Sequence, residues 1–226
     1  MMRTLRFLSI VVVLVGFLAA CDNAEGPVDI IHGSGNVITE DRGLDGFTGV
    51  SLAGVGRLVI DQTGSDSVKI TADDNFLPYI ETRVQGNKLI IGIQKNIVFN
   101  DVTELVYDVT VKGIDNLELD GAGEIEVLHL DGEEWTAHLD GGGNITVSGH
   151  VARQEVEING LGMYNAEDLA SADATVEQNG AGMAVVRVSN SLDVTISGVG
   201  SVEYIGNPTV NKTVNGVGTI KRRQEL

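Results

Sequence analysis

Cysteine is almost missing from this chain. Its 226 residues include one, Cys21, so no internal disulfide and no cysteine-based zinc site can form. Prolines number three and aromatic residues make up 4%, too few for a proline-rich spacer or for the stacked rings that sugar-binding surfaces usually carry. Trp135 is the only tryptophan, and it reads as a packing residue. Basic residues are outnumbered, 15 against 32 acidic, giving a formal charge of −17. Such a surface repels phosphate backbones, which excludes nucleic-acid binding. Helical periodicity is missing after residue 28. The alternating Val, Ile, Thr and Gly that replace it point to an all-β chain.

What the chain has in abundance is glycine, 29 residues, and most of it is ordered. A phrase of an apolar residue, a small polar residue and Gly-x-Gly keeps returning. It reads Leu119-Asp120-Gly121-Ala122-Gly123, then Leu139-Asp140-Gly141-Gly142-Gly143, Ile158-Asn159-Gly160-Leu161-Gly162 and Gln178-Asn179-Gly180-Ala181-Gly182. It ends as Ile196-Ser197-Gly198-Val199-Gly200 and Val214-Asn215-Gly216-Val217-Gly218. The first glycines lie 18 to 20 residues apart, a fixed period that marks a stacked solenoid. Two outliers, at Gly33-Ser34-Gly35 and Gly54-Val55-Gly56, share the phrase. The repetition predicts an all-β, parallel β-helix-like solenoid with about 18–20 residues per coil over 117–222, within a single β domain at 29–226.

Alternation around each phrase predicts which side chains fill the coils. Leu117 and Leu119, Ala137 and Leu139, Val156 and Ile158, Val194 and Ile196 share one inward face. A second inward column follows the glycines at Ile125, Ile145, Tyr164, Ala184, Val202 and Ile220. A third set is Leu130, Val151, Leu169, Val188 and Val210. Three apolar positions per period imply a three-sided coil that bends at the glycines. Gln178 breaks the first column and is expected to turn toward a ladder partner or to be partly exposed. Gly-x-Gly without a following helix excludes a dinucleotide site; the glycines are expected at sharp bends, through positive φ or close backbone approach.

The N-terminus supplies an address. Arg3 and Arg6 precede a mainly apolar stretch from Phe7 to Ala20 that is too short for a mature membrane span. It ends Leu18-Ala19-Ala20-Cys21. This resembles a bacterial lipoprotein signal peptide with its lipobox. The resemblance implies cleavage after residue 20, lipidation of Cys21 and attachment to a membrane of the cell envelope, with residues 21–28 as a polar tether. Without residues 1–20 the balance is 13 basic to 32 acidic residues, a formal charge of −19. Asp22 resembles the inner-membrane retention signal of enterobacterial sorting, so the outer membrane and the periplasmic face of the inner membrane both stay open.

Residues 29–116 do not follow the period. They predict short strands, a helical turn from Asn75 to Ile80 opened by Asp73-Asp74-Asn75, and a hairpin of Thr82-Arg83-Val84 with Leu89 to Ile93 around Gln85-Gly86-Asn87-Lys88. A strand from Leu105 to Val111 closes the segment. The stretch "GFTGVSLAGVGRLVIDQ…VKITADDNFLPYIETRVQGNKLIIGI", followed by a glycine ladder, resembles the auto-transporter adhesin head GIN domain family from about Phe47 to Lys221. The resemblance implies a solenoid on an envelope protein and no catalytic residues.

Candidate chemistry is sparse. The residues before the glycines, Asp120, Asp140, Asn159, Asn179, Ser197 and Asn215, form a polar column suited to bends and to a hydrogen-bonded ladder. Asp120 and Asp140 on adjacent coils are the candidate metal ligands, for calcium. Acid–base hydrolysis of a polysaccharide would need clustered carboxylates, and the available aspartates coincide with the bend column. The four histidines have no metal-binding spacing, and there is no Gly-x-Ser-x-Gly motif. The chain therefore reads as a non-catalytic binding or adhesion-type module, anchored to a membrane through Cys21, with a protein or glycan partner and no cofactor besides that calcium. The alternatives are an envelope-stress scaffold without a tight ligand and a polysaccharide-degrading β-helix.

Overall fold

The computed structural model describes residues 27–224. The expected signal peptide, Cys21 and most of the expected tether lie outside the described residues. Seventeen strands and one 3-10 turn follow Pro27–Val28. In chain order they are β1 (Asp29–His32), β2 (Val37–Asp41), β3 (Gly49–Ala53), β4 (Val55–Gln62), β5 (Ser67–Asp73), the turn Leu77–Tyr79, β6 (Ile80–Gln85), β7 (Lys88–Ile93), β8 (Ile97–Asn100), β9 (Leu105–Val111) and β10 (Asn116–Leu119). The repeat region gives β11 (Ala122–Leu139), β12 (Gly142–Ile158), β13 (Leu161–Gln178), β14 (Ala181–Ile196), β15 (Val199–Ile205), β16 (Thr209–Val214) and β17 (Val217–Arg222).

From β10 onward every pairing is parallel and in step with the repeat. The coils stack as a β-solenoid of about five turns. Each long strand runs along one side, crosses a short third side with a register shift, and returns along another. The inward residues are buried as the alternation requires: Leu117, Leu119, Ile125, Ile145, Tyr164, Val156 and Ile158 are all at most 1% exposed. No coil could bury this face alone; stacking supplies the cover.

The backbone explains the glycines. At each corner the x residue donates its N–H to the first glycine's carbonyl one coil earlier, as in Leu161 to Gly141 at 2.9 Å and Val199 to Gly180 at 3.0 Å. The polar residue and the first glycine both donate to the preceding apolar carbonyl, so Asp140 and Gly141 each reach Leu119 O at 3.0 Å. This draws the backbones so close that a Cβ on Gly141 or Gly160 would stand 1.8 Å from the carbonyl oxygen of the glycine below. Close approach, more than positive φ, is what the ladder demands.

The phrase at Gly54 is a rung of the same ladder. Val55 pairs with Ala122, Gly56 with Gly123, and β3 with β10. A Cβ on Gly121 would lie 1.8 Å from Gly54 O. Sequence spacing hid this rung because Gly54 and Gly121 lie 67 positions apart. That insertion caps the stack: β6 and β7 form an antiparallel hairpin on β3, while on the other side β5 pairs antiparallel with β9 and, along its other edge, with β2 of the preceding segment. The phrase at Gly33 is not a rung; it packs against Asp73 and Asp101.

Three expectations need correction. Gln178 is neither exposed nor turned to a partner: it is fully buried, with both amide atoms unpartnered. Its column position faces the core between Ile158 and Ile196, where register outweighs the polarity of one side chain. The helical turn is a 3-10 turn at Leu77–Tyr79, and no side chain caps it; Asp73 and Asp74 serve elsewhere. The third apolar set is three columns. Leu130 and Leu169 align through Gly149, Val151 and Val188 align through Ser171, and Val210 pairs with Leu192 in the column that holds Trp135.

The C-terminal end is finished differently. Register places Lys212 above Val194 and Arg222 above Tyr204, so charges occupy inward columns of the last coil. The Lys212 ammonium lies 5.7 Å from the Tyr204 ring centre, a cation–π contact. Inward-pointing charges blunt a sheet end against pairing with another chain.

Candidate functional site

The polar bend column forms the ladder its composition suggests. Asn179 Nδ2 donates to Asn159 Oδ1 at 3.0 Å, and Asn159 Nδ2 donates to Asp140 Oδ1 at 2.6 Å. Asp120 continues the column on the adjacent coil, reached by Ser51 Oγ at 3.5 Å. Both aspartates are exposed. Among the described residues, no group of three or more His, Cys, Asp or Glu side chains could hold a metal ion. The ladder also draws in neighbouring charge: Asn159 Nδ2 reaches Glu157 Oε1 at 3.0 Å, and His138 Nδ1 lies 3.1 Å from Glu157 Oε2. On the same face Lys88 pairs with Glu118.

Beside this column runs a ridge of x residues. Val55, Ala122, Gly142, Leu161, Ala181, Val199 and Val217 stand in register. Leu161 is 66% and Val217 72% exposed. A solenoid thus turns a repeated sequence into straight, evenly spaced surface columns, one residue per coil at about 4.8 Å.

A second cluster holds the N-terminal segment to the cap. The buried Asp73 carboxylate accepts from Gly35 N at 2.7 Å, from Thr103 N at 2.9 Å and from Thr103 Oγ1 at 2.9 Å. Burial pushes its pKa up, but these hydrogen bonds outweigh burial and hold it below the ordinary carboxylate value. Asp74 is lowered by Ser34 Oγ at 2.6 Å and Asn36 Nδ2 at 2.8 Å. Asn75 Nδ2 donates to His32 O at 2.7 Å. The Asp-Asp-Asn stretch is therefore a receptor for the Gly33–Gly35 loop. Sequence reasoning read it as a helix start because carboxylates are suited to that position too.

The third side carries what composition concealed. Two cavities of about 370 and 470 Å³ adjoin at Gly206 and Asn207. The first is floored by Ala170, Ala172 and Val188 with His150 at its margin; the second is bordered by Arg222 and Arg223. Arg222 Nη1 lies 3.4 Å from Asn207 Oδ1, and Arg223 Nη1 lies 3.0 Å from Glu167 Oε2.

A buried polar chain leads from the core to the floor of these cavities. Trp135 Nε1 donates to Tyr164 Oη at 3.1 Å, and Tyr164 Oη donates to Gln154 Oε1 at 3.3 Å. Gln154 Nε2 donates to Ser171 Oγ at 2.8 Å, and Ser171 Oγ donates to Arg187 O at 2.8 Å. Trp135 and Gln154 are at most 1% exposed and Ser171 5%. Burial also raises the Tyr164 phenol pKa, so it remains a proton donor. Gln154 and Ser171 escaped the sequence reading. The signal available was a polar residue in an inward column, since Gln154 aligns with Trp135 and Ala174.

Similar proteins agree with the architecture. A 23% identical "putative adhesin" crystal structure from Bacteroides fragilis superposes with a TM-score of 0.75, covering 85% of this chain and 100% of its own. A "putative adhesin" from Parabacteroides merdae is 18% identical, with a TM-score of 0.52 and coverage of 87% and 100%. A "putative lipid binding protein" from Parabacteroides distasonis is 19% identical, with a TM-score of 0.51 and coverage of 87% and 100%. At these identities the likeness is one of fold. No curated protein matches the chain. The family model described as "putative auto-transporter adhesin, head GIN domain" matches residues 46–208, and the chain belongs to that family.

Proposed function

We propose that the protein is a bacterial envelope lipoprotein whose solenoid is a non-catalytic, adhesion-type binding module, attached to a membrane through acyl chains on Cys21. The observation that carries the reading is the family match over 46–208, joined to a stack that presents long in-register columns to solvent. Its polar residues are engaged in bends, caps and a buried hydrogen-bond chain, which accounts for them without an acid–base pair. More than one acyl chain gives lasting attachment where a single chain is marginal.

Binding of the purified protein to intact cells, envelope fractions and glycans tests the module. Saturable binding is expected; its absence together with an envelope defect on deletion would favour a scaffold. Inhibiting the lipoprotein signal peptidase should leave a larger precursor, and unchanged size and membrane partition would refute the anchor. Protease shaving of intact cells distinguishes the outer surface from the periplasmic faces. Calcium at Asp120 and Asp140 belongs to the same proposal, because the two carboxylates stand exposed on adjacent coils. Calorimetric titration should show heat at millimolar calcium; no heat and no rise in melting temperature would remove the ion.

A further inference from the structure

We propose that the adjoining cavities on the third side bind an amphiphilic anion, an acidic group on an aliphatic body. This rests on the binding-module reading and names one class of ligand for it. The charge distribution is the first observation. The whole chain carries −17, yet from Val199 to Leu226 four basic residues, Lys212, Lys221, Arg222 and Arg223, stand against two acidic ones, Glu203 and Glu225. Two of the four, Arg222 and Arg223, border the second cavity, on a molecule that elsewhere repels anions; Lys221 pairs with Glu203 and Arg223 with Glu167.

Shape and lining are the second observation. The first cavity is mainly apolar through Ala170, Ala172 and Val188, and it joins the second at Gly206 and Asn207. A Cβ on Gly206 would stand 2.0 Å from Val188 O, and its φ is +110°, so the wall between the two cavities keeps this close backbone approach only with glycine there. An apolar cleft with a few polar groups at one end is the usual form of a small-molecule site. Here the second cavity offers the Arg222 guanidinium, whose only hydrogen bond among the described residues is the long one to Asn207. Arginine matches carboxylate and phosphate oxygens in a fixed fork.

The buried chain is the third observation. Four hydrogen-bonded side chains, each at most 5% exposed, lead from Trp135 to Ser171 at the cavity floor. Such a chain rigidifies the wall it supports when every member is satisfied. It also connects the single tryptophan to the cavity, so occupancy should be visible in its emission.

The test uses the full chain as its Cys21→Ser variant, so that no attached acyl group competes. Decanoate and decyl phosphate are titrated below their micelle thresholds by calorimetry, with Trp135 emission followed in parallel. Both should bind saturably, and inorganic phosphate and acetate at least tenfold more weakly. Exchanging both arginines (Arg222→Ala with Arg223→Ala) should weaken decyl phosphate by about tenfold or more. Ala172→Phe should fill the cleft and abolish binding while the melting temperature stays near that of the parent. Vesicles of phosphatidylglycerol distinguish a membrane source from a free one. Binding of monomers with or without vesicles supports the cleft, while binding to vesicles alone overturns it. The proposal also falls if neither decyl compound saturates, if inorganic phosphate binds equally well, or if both variants bind like the parent. Saturable binding to envelope fractions that survives all three substitutions would refute the cleft and leave the module intact.

Discussion

The cap, which is residues 29–116 apart from the Gly54 rung of β3 and β4, and the coils reach the same core by different means. In the coils, one backbone device repeats at every corner, and side chains need only alternate. In the cap, antiparallel pairings and individual carboxylates hold irregular segments in place, with Asp73 gathering Gly35 and Thr103. Repetition spreads the stabilisation evenly over nearest-neighbour interfaces. Irregular closure concentrates it in a few side chains. The lesson is where each region should be fragile: the coils at glycines, the cap at aspartates.

The largest effect should come from the ladder. Gly160→Ala forces a Cβ within 1.8 Å of a backbone oxygen, which only separating the coils relieves, so a loss above about 4 kcal/mol is expected. Gly113→Ala is the contrast: nothing lies within 4 Å and its φ is not positive, so a change within about 1 kcal/mol, in the stabilising direction, is expected. Chemical denaturation of the two variants measures both. Equal losses would mean that the glycines matter for something other than corner spacing.

In the cap, Asp73→Ala should leave the coils folded while amide exchange rises at Gly35 and Thr103 and through residues 29–36. Uniform loss of protection along the whole stack would show the two regions to be one cooperative unit. Gln178→Leu acts in the opposite direction. It removes a buried amide without partners and should stabilise the coils by about 1–3 kcal/mol, read as a raised denaturation midpoint with an unchanged slope.

Acid should give the mildest distinction. Asp66, Asp73, Asp74 and Asp173 are held below the ordinary carboxylate value in the folded protein. For Asp66, burial raises the pKa but the Gly46 and Lys112 N–H groups and the Lys112 ammonium outweigh it; for Asp173 the Ser191 hydroxyl and Asn190 amide lead the lowering. Depressed values mean that their contribution is complete above the unfolded pKa of about 3.9 and is lost as pH falls through the folded values. Three of the four lie in residues 66–74, so exchange in the cap should accelerate before exchange in the coils as pH drops below about 4. The reverse order would remove the assigned role of these carboxylates.

Legibility followed the same division. The coils could be read because their period is short and their inward columns are apolar: Leu119, Ile125, Ile145 and Ile158 are buried where alternation puts them. The Gly54 rung could not be read, since its neighbour at Gly121 is brought near by pairing rather than by spacing. Asp73 looked like a helix start because local sequence does not show which distant amides will reach a carboxylate. The bend column, including Asp140, Asn159 and Asn179, was legible as a ladder. The cleft was not, because His150, Arg187 and Asn207 lie far apart in sequence and come to one surface only through coil stacking.

The central claim is that each Gly-x-Gly is one corner of a single in-register stack that begins at Gly54. Paired cysteines test it directly in a Cys21→Ser background, which has no other thiol. Val55 and Ala122 are exposed partners on adjacent rungs, and Gly142 stands one rung further. With rungs about 4.8 Å apart, Val55→Cys with Ala122→Cys should form a disulfide on mild oxidation. Val55→Cys with Gly142→Cys, about 10 Å apart, should not, because bridging fails beyond about 7 Å. Equal oxidation of both pairs, or of neither, would contradict the stack.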